Sequence, residues 1–320
     1  MADTKSLTSR TFARHVAPFA PLALALAMNA VPPHAAKPAN AAPVSGGAIV
    51  AQKCDEVVDF QDCHSRFPTG CSPAAGYDAY LNSLKNEIEP PAPLSTPVKF
   101  LAQQDYAGLD ADIPSGLTRS NHADFQNQLN QMGEGQTFGV IGFLYYFQPT
   151  GAESSNCDLS GPSDDPEKSN VDYHIGIGFD PSVAQGLRTD ENPAATPAAS
   201  KRSPGKATKG SAASALEQAS VIVEMTPHYR FQFEHNIWTV ENLQKALGHQ
   251  VRVIGQLVID NEHNVPSQNC ATAQTQAQKR SCWRASVWEL HPVEHFQVCA
   301  KATNDCTQDD PTNWVELDQL

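Results

Sequence analysis

Two acid–histidine pairs with the same spacing, Asp172-x-His174 and Glu289-x-His291, are the residues of this chain best suited to chemistry. Side chains two apart on an extended strand share a face and lie about 7 Å apart. Each pair would therefore present a carboxylate beside an imidazole. Glu224 is the one charged residue in the run 220–226. If the three segments join one sheet, Asp172, His174, Glu224, Glu289 and His291 form a single patch, with Asp260 and His263 beside it at the end of a fourth strand. Imidazole nitrogen and carboxylate oxygen together suit Zn²⁺, Mn²⁺ or Ca²⁺, according to the nitrogen count. An ion with an open coordination position would acidify water and support hydrolysis of the phosphodiester type, a spare carboxylate serving as base. On a solvated strand face the same pairs would give about 0.2–1 kcal/mol of cross-strand support and no chemistry. Register decides between these outcomes, because a slip of one residue turns a pair to the opposite face.

The elements that must position these residues are legible as a change of period. Tyr77, Tyr80, Leu81, Leu84 and Ile88 fall at helix spacing before Pro90-Pro91, and Phe125, Leu129 and Met132 repeat that spacing before Gly133. From residue 136 the period becomes strand-like. Segments 137–147, 171–179, 220–226, 250–260 and 287–298 read as five strands, the fifth bent or unpaired at Pro292. A short helix over 238–247, stopped by Gly248, separates strands three and four. This order, three strands, a helix and two strands, is that of a five-stranded OB-like Greek-key barrel. The expected fold is thus mainly β, with a helical, disulfide-stapled N-terminal segment. Gly139, Gly142, Gly176, Gly178 and Gly255 suit the coiling of a small barrel.

Four regions follow: 1–42 as signal peptide and Ala/Pro-rich tether, 43–133 as a cysteine-containing helical lead-in, 134–300 as the barrel, and 301–320 as a C-terminal tail. Residues 190–218, with Leu216 as their one large apolar side chain, read as a disordered insertion in the barrel. Its Lys201, Arg202, Lys206 and Lys209 make a basic, solvated loop. The run Glu153–Cys157, Asp172-Tyr-His174, the stretches 221–227, 251–255 and 260–263, and above all Trp288-Glu-Leu-His-Pro-Val293 resemble a group of secreted bacterial proteins with an OB-like barrel. The last strand of that group carries a W-E-[IL]-H-P-V signature. The resemblance covers about residues 136–299 and implies the domain, with no established activity. The group often has a second cysteine near Cys157, where this chain has Ser155, so the resemblance does not support a local bridge there.

Compartment and charge narrow the function. Lys5, Arg10 and Arg14 precede an uncharged stretch over 16–31, and Ala39-Asn40-Ala41 fits a small-x-small cleavage site, so export to the periplasm or medium is expected. The apolar stretch is short for a membrane span and contains Pro18 and Pro21. No integral span is expected once the signal is removed. The eight cysteines all follow this segment and contain no C-x-x-C pair, which points to disulfides. Proximity suggests Cys270–Cys282 and Cys299–Cys306, with Cys54, Cys63, Cys71 and Cys157 pairing among themselves. A net charge of −13 repels polyphosphate and disfavours nucleic acid as partner. No nucleophile elbow, His-Glu-x-x-His or phosphate loop occurs. Trp238, Trp288 and Trp314 read as core, while Trp283, in a polar loop next to Cys282, is the aromatic available to a ligand. The expectation is an exported binding or interaction module for a small molecule, sugar or envelope protein, with a divalent metal ion or no cofactor. A metal-dependent hydrolase on the same residues is the alternative.

Overall fold

The computed structural model describes residues 79–86, 90–150, 171–188, 215–234, 237–310 and 312–320. The expected signal segment, the four earlier cysteines and most of the expected basic insertion lie outside these residues. Seven strands form one sheet: β1 (Lys99–Leu101), β2 (Thr137–Pro149), β3 (Tyr173–Gly178), β4 (Val221–Met225), β5 (Gln250–Ile259), β6 (Trp288–Cys299) and β7 (Trp314–Glu316). The order β2-β3-β4-β6-β5 closes because β5 also pairs with β2. All pairs in this ring are antiparallel except β4–β6. This is the five-stranded OB-like Greek-key barrel that the element order predicts, with β1 added parallel to β2 and β7 added antiparallel to β6.

Closure depends on the length of β2, whose first half pairs with β5 and whose second half pairs with β3. Alternation then sorts the side chains. Ile175, Ile177, Val223, Val253, Leu290 and Phe296 enter the barrel and are fully buried. The helix between β4 and β5 spans Val240–Lys245, capped by Thr239, whose hydroxyl accepts from the Asn242 N–H at 3.1 Å. Gly248 beyond it has φ 76° and lies so close to Ala184 that a Cβ would stand 2.5 Å from its carbonyl oxygen.

Before the barrel come α1 (Ala79–Lys85), α2 (Gln103–Ala111) and α3 (Gln126–Met132). Helices α1 and α3 lie where the apolar spacing places them, and Gly133 ends α3 at φ 110°. Helix α2 and strand β1 have no periodic signal, since α2 buries only Tyr106 and Asp110 and β1 is three residues long. Residues 301–320 return to the sheet as β7, with Trp314 and Leu317 buried. Within the expected insertion, Ala215–Gln218 form a helical turn whose Leu216 packs against the cluster of Tyr145 and Tyr146. Both inferred disulfides are present, Cys270–Cys282 and Cys299–Cys306. Among the described residues no helix is long and apolar enough to cross a membrane.

Candidate functional site

The candidate residues lie on the outer surface of β3, β4 and β6. On each strand the neighbours Tyr173 and Ile175, Val223 and Met225, and Trp288 and Leu290 point into the barrel. The residues between them must point out. The register sets His174 opposite Glu224, and the parallel bridge Val223–Leu290 brings Glu224 beside His291. At Pro292 the β5–β6 ladder slips, so that His291 and Pro292 together face Gln256. This bulge follows from proline's missing N–H.

All five strand residues converge. Glu224 lies 2.9 Å from His174 Nε2 through one carboxylate oxygen and 2.9 Å from His291 Nδ1 through the other. The same Nδ1 is 3.3 Å from Glu289 Oε1, and His291 Nε2 faces Asp172 Oδ2 at 4.0 Å. The face is not solvated, contrary to the ordinary expectation for outward strand residues. Asp172, Glu289 and His291 are 0 % exposed and Glu224 is 1 % exposed. Residues of α1 and of the connection between β5 and β6 pack over them.

That cover supplies two cations which sequence reasoning missed. Arg284 Nη1 reaches Asp260 Oδ2 at 3.0 Å and Glu289 Oε2 at 3.1 Å, and Lys85 Nζ reaches Glu289 Oε1 at 2.9 Å. Lys85 had a legible signal: it is four residues after buried Leu81, so it shares the buried stripe of α1. Arg284 had none, lying in an irregular segment after Cys282. The cover is anchored by the Cys270–Cys282 bridge and by Asp110 of α2, whose Oδ1 accepts from Asn269 Nδ2 and the Val287 N–H, both at 3.2 Å.

The cations divide the seven expected residues. Glu289 and Asp260 are engaged by Lys85 and Arg284. His263 pairs with Asp260 through Nδ1 at 2.5 Å and lies outside the central group. His174 bridges the centre to the half-buried Trp283, whose ring also meets His263 edge-on at 5.0 Å. Asp172, Glu224 and His291 remain as a triad whose candidate ligand atoms all lie within 4.8 Å of one another.

Electrostatics separate the carboxyls further. Burial raises the Asp172 carboxyl above its ordinary value, outweighing the pull of His291. Burial also opposes charge on Glu224, but His174, His291 and Lys85 hold it well below the usual range. Asp260 is similarly depressed against burial, by His263, Lys85 and Arg284. For His291, burial disfavours the cation, yet the Glu224 carboxylate lifts it to about 9. The triad offers one imidazole and two carboxylates, donor types that a divalent metal ion accepts. Fold and site together define an OB-like barrel with a buried histidine–carboxylate centre. The chain matches no protein-family model, no curated protein and no solved structure.

Proposed function

We propose that this protein is an exported binding module whose barrel holds a divalent cation on Asp172, Glu224 and His291. One observation carries the reading: the fully buried Nε2 of His291 makes no hydrogen bond and faces Asp172 Oδ2 across 4.0 Å. Two ligands each about 2.1 Å from one tetrahedral ion stand about 3.4 Å apart, a separation that a small inward shift of either side chain reaches. The other nitrogen, Nδ1, meets Glu289 Oε1 at 3.3 Å, as a ligating imidazole is commonly oriented by a carboxylate outside the ion's own ligands. One nitrogen among oxygens suits Mn²⁺ or Zn²⁺ better than Ca²⁺, which takes six to eight oxygens. Export is supported by the basic-then-apolar N-terminus, by the two disulfides and by the resemblance to secreted bacterial proteins. Trp283, between His174 and His263, is the contact offered to an organic ligand or envelope partner.

Holding is favoured over turnover because hydrolysis needs a coordination position that substrate can reach, and the triad is buried. The test is metal content of the purified full chain, with melting followed before and after EDTA. A stoichiometric ion is expected, its removal lowering the melting temperature, and His291→Ala should abolish uptake. A metal-free protein indifferent to EDTA and to added Mn²⁺ or Zn²⁺ would sink the proposal. Phosphodiester turnover lost in Glu224→Ala would instead restore the hydrolase reading.

A further inference from the structure

Helix α1 ends at the site, and Lys85 is where it touches. The helix is held on the barrel by buried Leu81 and by the Leu84 carbonyl, which accepts from Gln256 Nε2 at 2.6 Å. Its ammonium lies 2.9 Å from Glu289 Oε1 and 3.9 Å from Asp260 Oδ2. Glu289 Oε1 is also the oxygen that His291 Nδ1 approaches at 3.3 Å. Lys85 and the triad histidine thus meet on one carboxylate oxygen, and the lysine charge acts on Asp172 and Glu224 as well.

We propose that docking of α1 through Lys85 and cation binding at the triad oppose each other, so that occupancy of the site is reported as loosening of the N-terminal helix. This rests on the cation reading above. A dication on Asp172, Glu224 and His291 displaces the His291 proton and still adds one positive charge beside the buried ammonium, where screening by water is weak. Linkage makes the effect mutual: whatever factor docked Lys85 takes from cation affinity, the cation takes from docking. A helix of seven residues depends on its packing, since one so short is marginal alone. Weakening one anchor therefore loosens it as a unit.

The experiment is hydrogen exchange of residues 79–86 in the full chain, with and without saturating Mn²⁺ or Zn²⁺, alongside calorimetric titration of wild type, Lys85→Met and Lys85→Arg. Amide exchange in α1 is expected to quicken about tenfold on binding, and Lys85→Met to bind the ion about tenfold more tightly, with Lys85→Arg close to wild type. The wild-type exchange result stands even if Lys85→Met fails to fold. An ion that binds while α1 exchange is unchanged or slowed overturns this proposal and leaves the cation reading intact. If no ion binds wild type or Lys85→Met, both are overturned together.

Discussion

At the scale of the residue, the centre is governed by which groups share which charge. Arg284 and Lys85 engage Glu289 and Asp260, whereas His291 stands between Glu224 and Asp172. A histidine whose folded value rises from 6.5 to about 9 contributes stability that is fully present below 6.5 and lost as pH climbs through 9. Buried Asp172, also raised, acts in the same direction in its own lower range. Glu224 and Asp260, held low, act oppositely and lose their contribution only in acid. The EDTA-treated protein should therefore melt at a lower temperature at pH 10 than at pH 7, and His291→Gln should flatten that difference. A melting point insensitive to pH over this range would contradict the arrangement. Uptake of Mn²⁺ or Zn²⁺ should strengthen as pH rises, because an imidazole must lose its proton to ligate.

At the scale of the element, β6 does the most precise positioning. Its bulge at His291-Pro292 is accommodated by Gly255 on β5, where a Cβ would stand 2.5 Å from the Pro292 carbonyl oxygen and 3.1 Å from Val293 Cα. Backbone cannot yield as a side-chain tip can. Gly255→Ala is expected to cost about 1–3 kcal/mol in urea denaturation, the usual range for overpacking. It should also weaken Mn²⁺ or Zn²⁺ uptake, since the displaced strand carries His291. Unchanged stability together with unchanged uptake would show that the bulge does not set the site. The glycine itself was legible in the sequence as a coiling residue. Its partner was not, because pairing with β6 is long-range.

At the scale of the whole molecule, net charge and closure set what the protein meets. With −13 overall, encounter with duplex DNA is repulsive. Gel-shift titration at about 50 mM salt with EDTA present, a condition that favours phosphate contacts, should show no complex. A salt-sensitive shift would point instead to a concentrated basic surface. Period-two alternation is local, so the amino-acid order alone made legible the five strands, their alternating faces and the helix between the third and fourth, while proximity in sequence suggested the two close cysteine pairs. That order placed Asp172 with His174, and Glu289 with His291, on one strand face each, and left to the register whether those faces meet Glu224. Tertiary structure alone decided that these five residues meet on one sealed side of the barrel, that Lys85 and Arg284 close over it, and that Asp172, Glu224 and His291 stand with candidate ligand atoms within 4.8 Å of one another. Those two cations arrive from α1 and from the connection after β5, far from the strands in sequence. Burial and charge pairing depend on what packs in space, which no local pattern encodes.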